Sequence, residues 1–177
     1  MKKITVREIA LSGITASFAV IAVVLSYYVE VMSLTFLALA SVVLTLPLMA
    51  DSVRGSVLAY AAASGLSFIF VSYFAAMPFI LMFGPYPILD YFLRKYLKKK
   101  VIVIPIEIAF ANLSFLACYF AIGLTLDEFA FLKSLPVPLQ YFLIFLGLTF
   151  IFVVFHFGFT TLYDTLEKRL SKVLKKK

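Results

Sequence analysis

The sequence predicts an all-α, polytopic membrane protein: a compact bundle of six transmembrane helices with both termini in the cytoplasm. Three observations predict it. The chain is 64% hydrophobic and 14% charged, with a mean hydropathy of +1.08, which excludes an ordinary soluble domain. Its apolar residues gather into six runs of roughly 17–30 residues, the length an α-helix needs to cross about 30 Å of hydrocarbon. Fifteen of the sixteen Lys and Arg residues lie in segments that six crossings place on one side.

The runs cover residues 7–29, 34–50, 53–72, 76–96, 101–123 and 138–166 and leave no room for a separate soluble domain in 1–177. The termini, the 51–54 turn and the 94–100 loop then share a face. That face holds Lys2, Lys3, Arg7, Arg54, Arg94, Lys95, Lys98, Lys99, Lys100, Lys168, Arg169, Lys172, Lys175, Lys176 and Lys177. The opposite face, with loops near 30–33, 73–75 and 124–137, carries Lys133 beside Glu30, Asp127 and Glu128. An excess of cations marks the cytoplasmic side, so the expected location is the plasma membrane with both ends inside. The net charge of +7 sits in clusters next to the spans. It suits the anionic inner leaflet of a lipid bilayer and gives no reason to expect nucleic acid.

The first span has two unlike sides. Ser12, Thr15, Ala19, Ala22 and Ser26, with Ala16, make a stripe of small residues, and Leu11, Ile14, Phe18, Ile21 and Leu25 make an apolar one. Small residues let helices approach closely in lipid, where packing must drive association. The third span repeats the device with Ser56, Ala59, Ala62, Ala63 and Gly65. Each stripe either packs inside the bundle or docks another membrane subunit. The first span also starts on basic residues, but it lacks a small-residue cleavage site and is read as a retained helix.

The fourth span is interrupted. Pro78 suits a first turn, whereas Gly84, Pro85 and Pro87 lie mid-span and free carbonyls near Ile80–Phe83. Such backbone survives at membrane depth only inside protein or beside a wet cavity, and broken helices often mark transporter binding sites. At about 1.5 Å per residue, Tyr86, Asn112 of the fifth span and His156 of the sixth reach one level near the bilayer middle. Glu107 is expected one to two turns closer to the cytoplasm, near Thr160 and Thr161. Each of these groups is either a ligand contact or interhelical glue. Asp90 reads as the ion-pair partner of Arg94, and the 124–137 connection as a plain connector or an outer flap. Tyr27, Tyr28, Tyr73 and Tyr141 read as interfacial aromatics.

Several chemistries are missing. There is no GxxxxGK[ST] phosphate loop, no HExxH and no GxSxG motif, so neither ATP hydrolysis nor a familiar catalytic constellation is expected. Cys118 is the lone cysteine and His156 the lone histidine, which excludes internal disulfides and multi-histidine metal centres. The chain is expected to be neither an enzyme nor a cofactor carrier.

Two segments carry a family likeness. Thr5-Val6-Arg7-Glu8-Ile9-Ala10-Leu11-Ser12-Gly13-Ile14-Thr15-Ala16 and Phe83-Gly84-Pro85-Tyr86-Pro87-Ile88-Leu89 resemble stretches of the S components of energy-coupling factor vitamin transporters. The six short spans and the lack of a nucleotide site extend that likeness over the whole chain. The resemblance implies a subunit that captures a vitamin-like solute and docks onto a transmembrane T component bearing two ATPases. It implies docking through Ser12, Thr15, Ala16 and Ala19 of the first helix, where Ser12-x-x-x-Ala16 replaces the family's Ala-x-x-x-Ala. A literal Ala59-x-x-x-Ala63 stands on the third span instead. It further implies an outward-facing pocket at Phe79, Phe83, Tyr86, Asn112, Tyr119 and His156, with Glu30 near the lid and Glu107 as an accessory polar group. Rival readings are a proton-coupled carrier using Glu107 and His156, a non-transport membrane scaffold, and an intramembrane enzyme.

Overall fold

The computed structural model describes residues 5–97, 100–122 and 136–174, and every regular element among them is helical. Six segments are long and apolar enough to cross a membrane: Val6–Tyr28, Glu30–Met49, Val53–Phe70, Tyr73–Tyr96, Ile102–Ile122 and Pro138–Arg169. The chain is therefore a multi-pass membrane protein by length and composition. The 124–137 connection falls outside the described residues except at its final two positions.

Helix α1 (Val6–Tyr28) opens on a reciprocal cap. The Thr5 hydroxyl accepts from the Glu8 amide at 3.3 Å, and the Glu8 carboxylate accepts from the Thr5 amide at 2.8 Å. The second Glu8 oxygen accepts from the Ser52 hydroxyl at 2.9 Å. Ser52 in turn caps α4 (Val53–Phe70) by accepting from the Gly55 amide at 3.1 Å. One carboxylate thus ties the starts of the first and third spans together at the same end of the bundle. We call this the basic end, since Arg7 and Arg54 flank the tie. The preceding turn passes through Asp51 in the left-handed region (φ 56°), which short polar residues tolerate better than most.

Small residues decide how the first half packs. Ser12, Thr15, Ala16, Ala19, Ala22 and Ser26 are all buried on α1. Their stripe joins Ala59 and Ala63 of α4 and Leu37 and Ala40 of α2 (Ser33–Val43) in one core. Ala19, Ala59 and Ala63 are each 0% exposed. This corrects the expectation that Ser12, Thr15, Ala16, Ala19, Ala59 and Ala63 form a partner-docking face. The close approach that small side chains permit is used between α1 and α4 within the chain, and Ile14, Phe18 and Ile21 face outward. Most of the buried serine hydroxyls are satisfied at short range: Ser12 donates to the Glu8 carbonyl at 2.6 Å and Ser67 to Ala63 at 2.7 Å, whereas the Thr15 hydroxyl has no partner. Ser56 reaches across to the Leu44 carbonyl at 2.8 Å, close to the short α3 (Leu46–Met49) that ends the second span.

The fourth span is built in three pieces: α5 (Tyr73–Pro78), a π-helical turn (Phe79–Phe83) and α6 (Tyr86–Tyr96). The Gly84 amide donates to Phe79 five residues back at 2.7 Å, which leaves the Ile80 carbonyl without its usual partner. The Tyr60 hydroxyl of α4 supplies one at 2.7 Å. Pro87 has no amide to give the Phe83 carbonyl, and the Ser41 hydroxyl of α2 donates there instead. Two orphaned carbonyls are thus closed by side chains from two other helices. Gly84 makes the repair possible, because a Cβ there would lie 2.4 Å from the Tyr60 ring.

Helix α7 (Lys100–Ile122) and helix α8 (Val137–Leu174) complete the bundle. At about 1.5 Å per residue the 38 residues of α8 extend ~57 Å, far more than the hydrocarbon thickness. The helix therefore runs past the expected limit at 166, and Lys168 and Arg169 continue it at the basic end. Ser41→Ala should leave the Phe83 carbonyl bare, and Gly84→Ala should displace Tyr60. Each should cost about 1–3 kcal/mol, read as a lower thermal midpoint of the purified chain in detergent. An unchanged midpoint in both would deny the repair.

Candidate functional site

The break in the fourth span sets where α6 starts, and its first residue, Tyr86, is 0% exposed. Three rings of α8 enclose it: Phe152, Phe155 and Phe159, at centroid distances of 5.5, 5.3 and 5.0 Å. Steps of three and four residues align Phe152, Phe155, His156, Phe159 and Tyr163 on this inner side of α8. The Tyr86 hydroxyl and His156 Nδ1 share a hydrogen bond of 2.8 Å.

From His156 a line of polar contacts runs toward the basic end. Glu107 of α7 places Oε2 2.8 Å from the same Nδ1. The Glu107 carboxyl also acts electrostatically on the Asp90 carboxyl of α6. Arg94, one turn beyond Asp90, donates from Nε to Asp90 Oδ1 at 2.7 Å and from an Nη to Asp164 Oδ1 of α8 at 3.2 Å. Its guanidinium lies 5.2 Å from the Tyr163 ring centroid, a cation–π contact. Exposure changes along the line, from 54% for the Asp164 side chain to 1% for Asp90 and Glu107.

The 2.8 Å approach of Glu107 to Nδ1 is proximity without alignment. An imidazole nitrogen has one in-plane bonding direction, and here it serves Tyr86. Both Glu107 oxygens and Asp90 Oδ2 therefore face the interior without a donor.

The remaining predicted site residues do not meet at this point. Asn112 was expected level with Tyr86 and His156; instead its side-chain oxygen accepts from Thr149 at 3.2 Å and its amide donates to the Ile108 carbonyl at 3.0 Å. Thr149 lies seven residues before His156, two turns along α8. Glu107 takes the position beside His156, and Thr160 and Thr161 donate to the Phe157 carbonyl of their own helix. Residue counting assumed straight helices of common tilt, whereas the fourth span is interrupted and α8 is over-long. Phe79 and Phe83 are buried core residues, packed with α1, α2 and α4. Tyr119 lines a separate hollow of about 220 Å³ with Phe115, Tyr141 and Phe145. Glu30 is exposed in the turn between α1 and α2. The expected single pocket thus separates into a polar line, an Asn112–Thr149 pair and an aromatic hollow. Asp90 is the site residue that sequence reasoning under-read: its spacing puts it on one face with Tyr86 and Arg94, and the structure gives that face a second carboxyl.

Burial should separate the two carboxylates that share Arg94. Asp164→Ala should cost at most about 1 kcal/mol, as exposed ion pairs do. Asp90→Ala should cost about 3–5 kcal/mol, since it removes one partner of a buried pair. Chemical or thermal unfolding of both variants checks the order. No protein-family model matches this chain, and no curated protein or solved structure does either.

Proposed function

We infer that the chain is a transport subunit of the plasma membrane, with both termini cytoplasmic. In this reading it captures a small vitamin-like solute from outside and delivers it by rocking against a transmembrane T component with two partner ATPases. The observation that carries the reading is the broken fourth span, whose restart brings Tyr86 to His156 and Glu107 in the bundle interior. Ionisable groups inside spans are costly and mark solute or ion pathways, and discontinuous helices frame binding sites in many transporters. The sequence carries no phosphate loop, so energy from partner subunits accords with the resemblance to S components. The cation asymmetry supports the orientation.

The aromatic hollow between α7 and α8 supports an entrance for a flat ring, with the Tyr119 and Tyr141 hydroxyls at its wall. Its volume of about 220 Å³ is below the roughly 300–1,000 Å³ of ligand pockets, so capture requires α7 and α8 to part further. Mass spectrometry of small molecules retained by the gently purified chain tests the reading. A bound solute is expected, with affinity reduced about tenfold or more in His156→Ala and Asn112→Ala, a loss of at least about 1.4 kcal/mol. Unchanged affinity in both variants would defeat the assignment.

A second reading is favoured by the 2.8 Å approach of Glu107 to His156: a proton-coupled carrier. It predicts uptake by the isolated chain in vesicles under a pH gradient without ATP. No retained solute and no gradient-driven uptake would leave a membrane scaffold.

A further inference from the structure

The polar line contains an imbalance that the transport reading does not use. Asp90 and Glu107 are both effectively buried, at 1% and 0% exposure. Glu107 Oε2 and the Tyr86 hydroxyl both lie 2.8 Å from His156 Nδ1, and Asp90 stands one turn from Tyr86 on α6, so the two carboxyl groups act on each other's charge. Asp90 Oδ1 accepts from Arg94, but Asp90 Oδ2 and both Glu107 oxygens lack a donor. Two ionised carboxylates offer only acceptors to each other, so a contact between them repels unless something lies between.

We propose that Asp90 and Glu107 form a buried proton-binding site, in which one exchangeable proton bridges the two carboxyl groups. The bridge turns one Glu107 oxygen into a donor toward Asp90 Oδ2 and satisfies two of the three orphaned oxygens. It also balances the charge: Asp90 and Glu107 contribute two negative charges, Arg94 one positive, and the proton closes the sum at zero. Asp164 stays out of this sum because it is half exposed and solvated. Neutrality matters here because an uncompensated charge in a low-dielectric interior is costly.

In this arrangement the surrounding groups are already engaged. On α6, Tyr86 is engaged with His156 and Arg94 with Asp90 and Asp164. On α8, Nδ1 of His156 is directed at Tyr86, and Tyr163 lies against Arg94. Helix α2 has no titratable side chain along Ser33–Val43, and on α4, which also packs on α6, Tyr60 donates to the Ile80 carbonyl. Asp90, Glu107 and His156 do not converge as a metal-ligand group. The proton can move without loss of balance. When the His156 ring turns from Tyr86 to Glu107, the Glu107 O–H bond breaks and an Nδ1–H bond forms, giving an imidazolium that faces two carboxylates. The line through Arg94 and Asp164 links the site to solvent at the basic end.

This site needs neither a solute nor a partner subunit, so it stands even where the uptake and retention assays fail. Infrared difference spectroscopy of the full chain in lipid nanodiscs tests it, reading the C=O band of protonated carboxyl groups. The wild-type chain should show that band at neutral pH, shifted in D2O, with an intensity of one carboxyl per chain. Asp90→Asn and Glu107→Gln leave a single carboxylate opposite Arg94 and should each lose the band. Absence of the band in the wild-type chain would overturn the proposal, and needs no variant to fold. A band persisting in both variants would overturn it as well. A wild-type band that disappears on adding sodium ions at fixed pH would replace the proton with a metal cation.

Discussion

Hydrocarbon offers no water to a bare peptide group, and this constraint governs the whole fold. Five spans meet it with continuous or nearly continuous helices. The fourth does not, because Gly84, Pro85 and Pro87 interrupt its ladder. The interruption persists because Tyr60 and Ser41 reach in from α4 and α2 to close the Ile80 and Phe83 carbonyls. The two helices that repair it are thereby fixed against it. The restart at Tyr86 then determines which side chains of α6 point at α7 and α8. The polar line is downstream of a backbone problem solved elsewhere.

The line itself shows how the cost of buried charge is contained. Arg94 carries its cation to two carboxylates on different helices and rests on the Tyr163 ring, so its guanidinium is engaged on several sides. Burial deepens from Asp164 inward: Arg94 bonds across to Asp164 and along its own helix to one oxygen of Asp90, and the other Asp90 oxygen and both of Glu107 have no donor. There the supply of donors ends, beside a histidine whose bonding direction is already taken. A group of this kind is unstable as a purely structural feature and informative as a chemical one.

Much of the architecture was legible in the sequence for simple reasons. Apolar run length alone identifies spans, and missing amides at proline identify the break. The sequence also marked Tyr86, Glu107 and His156 as unusual, since polar groups are rare at depth. Side-chain convergence was legible for Tyr86 and His156, which the residue count put at one level and the structure joins, and not for their neighbours. Counting rise per residue put Asn112 beside His156 and Glu107 a turn or more away, but the irregular fourth span and the long α8 shift the helices by that amount. The stripes at Ser12–Ser26 and Ala59–Ala63 carried a real signal about close approach and none about whose helix approaches. Asp90 was legible as a partner of Arg94, whereas its second neighbour comes from a helix that sequence spacing cannot align.

The two halves of the chain are held by different kinds of contact, with a mechanical consequence. Alanine and serine against α1 leave no side-chain freedom to absorb displacement, so the first three spans behave as a stiff frame. Phenylalanine and tyrosine rings on α6 and α8 can tilt and re-stack at modest cost, which makes that half compliant. Any breathing of this molecule should be concentrated there, with the N-terminal frame serving as the stator against which the aromatic shutter turns.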